Sequence, residues 1–461
     1  MLTFISLAIL GILVLLLGVM KRKRILLPLI LAGLVVTLVL TLSYWNSGRE
    51  FYSGMLVFDN TAVAFISVLV FSTLLIFSFA SHYYRPVERP LEDVYAVTIF
   101  ALTGAVMMAT FGNLIMLFLG IETLSIALYV LAGSHKEAIT SNEATLKYFL
   151  LGSFISGFLL FGITLIYGAA HTFDMTGISQ YLAGITASGQ PIPKLFLAGL
   201  FLMIIGLAFK IAIVPFHFWA PDVYEGTPTL LTAFMATVVK TASIVALYRL
   251  FTVCFCGAQP VWETTLAILA ALTILLGNFT GLYQPNLKRM LAYSSISHSG
   301  YMMLAVVAFG ERSAGSLLLY TLAYSLSTIT AFGILILIRE VYGNDRFESF
   351  NGLAKKNPLE ALCLTIAMLS LTGIPPLAGF MAKYYLFATA IDKGFLWLVI
   401  IAIIGSAVSA GYYFKPIIAM YLKEGDGLKL KAERSYRIHI VFMTLLTIVL
   451  GLVPFLLMGL L

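Results

Sequence analysis

Charge is scarce in this chain. Of 461 residues, 28 are Lys or Arg and 21 are Asp or Glu, 11% together, where a soluble domain carries roughly 25%. That scarcity excludes a soluble enzyme, because too few ionic side chains remain to solvate its surface. It also excludes a disordered chain, which needs high charge and low hydrophobicity. The net charge of +7 is spread over too few groups to build the basic patch that nucleic acid requires. Cysteine is rarer still. Cys254, Cys256 and Cys363 are the only three, and none has a partner at metal-ligand or iron–sulfur spacing, so they read as small apolar fillers. No metal site is expected. There is no long hydrophilic insert, no nucleotide loop and no dinucleotide-binding glycine pattern. His82, His135, His171 and His439 fall in or near expected loops, with nothing to pair them for haem.

Apolar residues fill the space that charge leaves. They make up 61% of the chain, and the mean hydropathy is +1.00. Crossing a hydrocarbon layer of ~30 Å takes ~20 apolar residues, so this composition supplies about fourteen spans. The apolar runs are continuous and do not alternate, which excludes a β-barrel. The expected fold is an all-α polytopic membrane protein. Its spans run at about 2–20, 25–45, 61–81, 94–111, 114–133, 144–168, 195–219, 228–253, 261–283, 290–309, 314–339, 359–391, 395–421 and 438–460. The first run ends in Lys21-Arg22-Lys23-Arg24, with no small-residue cleavage site, so it reads as a retained helix and not a cleaved leader.

Lysine and arginine crowd the loops after odd-numbered spans. They run from Lys21 to Arg24, through Arg85, Arg89 and Lys355-Lys356, to Lys423, Lys429, Lys431, Arg434 and Arg437. The loops after even-numbered spans hold only Arg49, Lys194, Arg312 and Lys393. This asymmetry predicts that both termini face outward. Lys147, Lys210, Lys240, Arg249, Lys383 and Lys415 are left inside spans. A charge at mid-bilayer costs ~3 kcal/mol on insertion scales, so each needs a reason. Arg249 and Lys415 lie near span ends and are expected to reach toward the headgroups. Lys210, Lys240 and Lys383 have apolar neighbours for a turn or more on at least one side and are the candidates for a proton path. Burial disfavours a charged ammonium, which lets a lysine at depth gain and lose a proton under ordinary conditions. Glu122 is the natural counter-charge. Glu143 and Lys147 are spaced i, i+4, either as an interfacial ion pair or as part of the path. His298 lies in a polar stripe, Tyr293-Ser294-Ser295-Ile296-Ser297-His298-Ser299, either as a proton carrier or as a satisfied core histidine.

Two spans carry helix breakers. Pro215 should interrupt span seven five residues after Lys210, close to His217, and Pro375-Pro376 should interrupt span twelve shortly before Lys383. Broken backbone at membrane depth is tolerated only against protein or water. Spans four to eight and nine to thirteen form two groups of five, with the broken helix fourth in each. Five is odd, so the second group runs inverted, an arrangement that builds midplane ion sites in transporters. The expected divisions are a three-helix segment at 1–93, repeats at 94–253 and 254–421, and a last helix within 422–461.

The stretch Lys210…Val214-Pro215-Phe216-His217-Phe218-Trp219-Ala220-Pro221-Asp222-Val223-Tyr224-Glu225-Gly226 resembles the antiporter-like membrane subunits of respiratory complex I. Its Pro-Asp-Val-Tyr-Glu-Gly form is similar to the subunit N branch, called subunit 2 in mitochondria. Glu143-Ala-Thr-Leu-Lys147, Lys288-Arg-Met-Leu-Ala-Tyr-Ser-Ser-Ile-Ser-His298 and Gly373-Ile-Pro-Pro-Leu-Ala-Gly-Phe-Met-Ala-Lys383 extend the likeness along nearly the whole chain. The serines on both sides of His298 depart from the family, where an apolar neighbour is common. The resemblance implies a subunit of NADH:quinone oxidoreductase that holds no redox centre and performs no redox catalysis itself. FMN, iron–sulfur clusters and quinone would be held in partner subunits. Sister antiporter-like subunits, small membrane subunits and the lipid bilayer of a bacterial inner membrane would surround it. Protons would move along buried Glu122, Lys147, Lys210, Lys240, His298 and Lys383, with Glu143, His217 and Lys415 as possible supports. The end at Leu461, just after span fourteen, is also expected of this branch. Two rival readings remain: a subunit of a multi-subunit sodium/proton antiporter without electron transfer, and a structural spacer. Flavin and iron–sulfur absorbance in a co-purifying complex separates the first rival. Neutralising the buried charges without loss of pumping would favour the second.

Overall fold

In lipid a backbone can satisfy its polar groups only within helices or a closed barrel, and this chain takes the helical solution. The computed structural model describes residues 1–20, 23–85, 91–425 and 428–461. Lys21, Arg22 and Arg89, used above for orientation, lie outside the described residues. The helices are α1 (Leu2–Val19), α2 (Lys23–Leu42), α3 (Asn60–Phe77), α4 (Glu92–Thr110), α5 (Leu114–Ala132), α6 (Ile139–Ala170), α7 (Lys194–Lys210), α8 (Thr229–Cys254), α9 (Gln259–Leu282), α10 (Leu287–Val307), α11 (Ser313–Tyr342), α12 (Pro358–Thr372), α13 (Ala378–Asp392), α14 (Leu396–Leu422) and α15 (Arg434–Leu452). Among the described residues, eleven helices are long and apolar enough to cross a membrane. The rest of the expected spans fall outside that group for visible reasons. The helices α7, α12 and α13 are shortened by breaks, and α10 carries Lys288, Arg289 and a serine-rich stripe.

The chain divides into two compact units. One comprises Met1–Phe71, Pro90–Trp219 and Val238–Leu269; the other comprises Ser72–Arg89, Ala220–Thr237 and Ala270–Leu461. In the first unit, α1 meets α2 through hydroxyl pairs, Thr3 with Thr41 at 3.1 Å and Ser6 with Thr37 at 3.0 Å. The helices α4 and α5 cross at Gly104, where an added Cβ would lie 2.6 Å from the Leu124 backbone nitrogen. Such close backbone approach through small residues is how helices associate in lipid. Asn113 caps α5 by accepting from the Ile115 N–H at 2.8 Å. Two features do not follow from the hydrophobic runs. A hairpin pairs β1 (Arg49–Phe51) with β2 (Leu56–Phe58) in antiparallel register. A helix over Met175–Ala187 turns Met175, Ile178 and Leu182 inward at helical spacing.

In the second unit, α11 is the central post, with nearly every residue from Ser313 to Ile338 buried. It is anchored by the Tyr436 hydroxyl, which donates to Gly333 O at 2.7 Å. Near its end Glu340 meets His82 at 2.8 Å, and the His82 ring lies 4.8 Å from that of Tyr436.

At both breaks turn hydrogen bonds take over from the helix, such as Ile213 N–H to Ala208 O at 3.0 Å and Ile374 N–H to Leu369 O at 3.1 Å. The helix α7 stops at Lys210, Ala212 takes a left-handed φ of 55°, Pro215 follows, and a short helix restarts at Trp219–Gly226. The Trp219 indole N–H donates to Phe209 O at 3.0 Å, and its ring stacks on Tyr148 at 4.6 Å. The helix α12 stops at Thr372, Gly373 turns with φ 91°, and Pro375-Pro376 lead into α13. With a rise of about 1.5 Å per residue, α7 and α12 each fall short of a ~30 Å hydrocarbon layer.

Candidate functional site

Lys210, Lys240, His298 and Lys383 are all buried, with exposures of 8%, 3%, 4% and 4%. Each unit holds its own cluster.

In the first unit, α5 supplies Glu122 and, one turn later, Ser125. The Lys210 ammonium donates to Ser125 Oγ at 2.8 Å, and Ser125 donates on to Ile121 O at 2.5 Å. Glu122 accepts from Ser156 of α6 at 2.5 Å. The hydrogen bond from Lys210 to α5 therefore goes to a serine beside Glu122, and the Glu122 carboxylate acts on the ammonium through space. The rings of Phe209 and Tyr129 lie 5.8 and 6.0 Å from its ammonium. As the final residue of α7, Lys210 also lies at the negative end of that helix, where a cation is favoured. Lys240 starts the regular part of α8 directly after a π-helical turn, Met235–Val239, with Thr241 and Ser243 buried next to it. Single π turns of this kind often mark functional positions. Lys147 pairs with Glu143 at 2.7 Å on an exposed part of α6. His217 lies in the gap after α7, its ring 5.2 Å from Phe218.

In the second unit, His298 is set between two tyrosines. Its Nδ1 is 2.7 Å from the Tyr320 hydroxyl and its Nε2 is 3.1 Å from the Tyr413 hydroxyl. Tyr413 continues to Ser294 Oγ. Lys383, on α13, reaches back to the end of α12. It donates to Leu371 O at 3.2 Å, Thr372 O at 2.7 Å and Ser406 Oγ at 2.8 Å. A helix end carries about half a negative charge on its unpaired carbonyls, so the break supplies the counter-charge for this ammonium. Beside it runs a groove of about 750 Å³, lined mainly by apolar residues of α13 and α14 together with the polar Ser406 and Asp392.

Two residues near span ends, Arg249 and Lys415, have hydrogen-bond partners within the protein. Arg249 is 7% exposed. It donates from Nη1 to Asp59 Oδ2 at 2.6 Å and from Nε to Phe111 O at 2.9 Å. Asp59 lies at the start of α3, close enough to offer a nearer partner than lipid. Lys415 turns to the end of α9, donating to Leu282 O and, at 3.4 Å, to Gln284 O.

Several functional-looking residues escape sequence reasoning. Ser125 and Ser156 are indistinguishable from other helix serines by spacing. Lys288 reads as a loop charge but is 1% exposed. Its ammonium donates to Glu225 O at 2.9 Å and Thr227 O at 2.5 Å. Arg289 joins Asp222 at 3.1 Å and Glu225 at 2.5 Å. The signal for that cluster was present as acids in one motif and bases in another, with no local spacing to join them. Glu360, in the first turn of α12, is buried and accepts from Arg437 at 2.8 Å. Among the described residues, no group of three or more His, Cys, Asp or Glu side chains could hold a metal ion.

Residues 112–409 match the model of the family described as NADH:quinone oxidoreductase/Mrp antiporter, transmembrane. The chain is 41% identical over 452 residues to NADH-quinone oxidoreductase subunit N of Flavobacterium psychrophilum, covering 98% of each chain. It superposes on a chain of respiratory complex I from Thermus thermophilus, solved with bound aureothin. That match has a TM-score of 0.85 and 34% identity, covering 99% of this chain and 98% of the other. A chain of the Mrp complex from Dietzia sp. shares the fold, with a TM-score of 0.87 at 22% identity, covering 99% and 94%.

Proposed function

The chain belongs to the NADH:quinone oxidoreductase/Mrp antiporter family, in its NADH-quinone oxidoreductase subunit N branch, and from that premise we propose that it translocates protons for an enzyme whose electron transfer occurs in other subunits. It is a multi-pass membrane protein and a subunit of an oxidoreductase. In the proposed path, Glu122 sets the charge near Lys210, Lys240 and His298 carry the proton, and Lys383 exchanges it. Lys147 joins through Glu143, with His217 and Lys415 in support.

The observation that carries this reading is the placement of buried lysines at the interruptions of α7 and α12. An ammonium in low dielectric is costly unless solvated; the α12 break brings carbonyls to Lys383, and Ser125 of α5 meets Lys210 where α7 stops. The reading includes two five-helix repeats, 94–253 and 254–421, of opposite topology, supported by the order of helices and the position of the breaks. FMN, iron–sulfur clusters and quinone belong to the partner subunits, which include sister antiporter-like and small membrane subunits. The membrane is a bacterial inner membrane, with both termini outside.

The test replaces Lys383 with alanine and follows proton translocation and NADH oxidation in vesicles containing the assembled complex. A positioned proton-transfer group contributes about a hundredfold or more, so translocation should collapse. Native translocation in the assembled variant refutes the role.

A further inference from the structure

Lys383 is held on four sides. An ammonium has three donors, and all three are used, on Leu371 O, Thr372 O and Ser406 Oγ. The fourth side is the face of the Tyr301 ring, whose centroid lies 4.9 Å from Nζ, within the range of cation–π attraction. Tyr301 is on α10, one turn after His298. Its ring is not free to turn. The hydroxyl accepts from Asn278 Nδ2 at 3.1 Å, and the same amide donates to Ile274 O at 2.8 Å. Asn278 Oδ1 accepts from the Tyr412 hydroxyl at 2.9 Å. Asn278, Tyr301 and Tyr412 are all buried.

An asparagine inside an apolar helix is expensive unless its amide is fully bonded, and here the bonds go to the ring that faces the lysine. Space for the assembly comes from Gly405 on α14. An added Cβ there would meet Ile274 Cγ2 first, at 2.4 Å, then Asn278 Nδ2 at 2.8 Å and the Tyr301 hydroxyl at 3.0 Å. Ser406, the next residue, is itself a Lys383 partner, so one turn of α14 makes room for the clamp and supplies a ligand to the ammonium.

We propose that Tyr301 is a positioning residue for Lys383: clamped by Asn278 and Tyr412, its ring face holds the ammonium against the end of α12 while the lysine carries its proton. This rests on the proton-translocation reading of Lys383. It gives α9 a part in the path although that helix contributes no ionisable group to it.

The experiment compares Tyr301→Leu, Tyr301→Phe and Lys383→Ala in the complete complex in vesicles, with proton translocation measured per assembled complex. Leucine removes the ring face, and translocation should fall about three- to tenfold, the range a cation–π contact supports. Phenylalanine keeps the face and loses the hydroxyl that the clamp holds, so it should recover part of that loss, which a packing role alone would not produce. Equal rates in the Leu and Phe variants, whether high or low, overturn the inference. If Tyr301→Leu does not assemble, Gly405→Ala carries the test, because it presses on the clamp and leaves Lys383 chemically intact. It should slow translocation at least about twofold, and a native rate overturns the proposal. The Lys383→Ala arm separates the two levels. Native pumping there removes the underlying reading. Lost pumping there, with native pumping in Tyr301→Leu, removes only the clamp.

Discussion

Replacing Ser125 with alanine tests whether the serine, and not a direct ion pair, connects Lys210 to α5. The Lys210 ammonium lies 2.8 Å from Ser125 Oγ, and Glu122 takes its own hydrogen bond from Ser156. A hydrogen bond to a charged group contributes about 1.5–3 kcal/mol, and each 1.4 kcal/mol is tenfold. Losing the hydroxyl should therefore deplete the arrangement in which the ammonium touches α5 by roughly 10- to 150-fold. Translocation should fall by about tenfold or more if that arrangement lies on the path. The assay is proton uptake by vesicles at matched amounts of assembled complex, alongside Lys210→Ala and Ser125→Thr. Threonine keeps the acceptor oxygen and should retain most of the activity. A native rate in Ser125→Ala, with a collapsed rate in Lys210→Ala, refutes the reasoning. So would a threonine variant as impaired as the alanine one.

Two further outcomes concern stability. Gly104→Ala sets a methyl 2.6 Å from the Leu124 backbone nitrogen. It should destabilise the α4–α5 crossing by about 1–3 kcal/mol, read as a lower melting temperature of the purified complex. Glu143→Gln removes a solvent-accessible i, i+4 pair. It should change stability by less than about 0.5 kcal/mol, so any large loss of translocation in that variant reports on the path and not on folding.

The parts of the fold visible in the sequence are those governed by local rules. Continuous apolar runs become helices because lipid leaves them no alternative. Pro215 and Pro375-Pro376 mark interruptions because a proline cannot donate within a helix. The hairpin at Arg49–Phe51 and Leu56–Phe58 was hidden because three-residue strands between two spans leave almost no periodicity. Partnerships were hidden for a different reason. Asp59 and Arg249 are 190 positions apart, and Lys288 finds its carbonyl acceptors about 60 positions away. Nothing within a window of either residue announces the other. Burial was also hidden at span edges: Lys288 lies two residues before an expected span and Arg249 near the end of another, and both are enclosed by protein. A hydropathy window reports how apolar the neighbours in sequence are, and these residues are enclosed by neighbours in space.

The ends of α12 and α9 grip Lys383 and Lys415 with peptide oxygens, and the short helix ending at Gly226 does the same for Lys288. A carboxylate counter-ion can be silenced by taking up a proton; a peptide carbonyl cannot. The carbonyl part of each lysine's surroundings therefore keeps a constant charge whatever the acidity, while the carboxylates of Glu225 near Lys288 and Asp392 in the groove beside Lys383 do not. In the proposed path, Lys383 would therefore have a fixed zero, like a balance whose pan weight cannot drift. Under that proposal its response would be driven by charges that move or titrate elsewhere, while the carbonyl reference at Lys383 stays where the backbone put it.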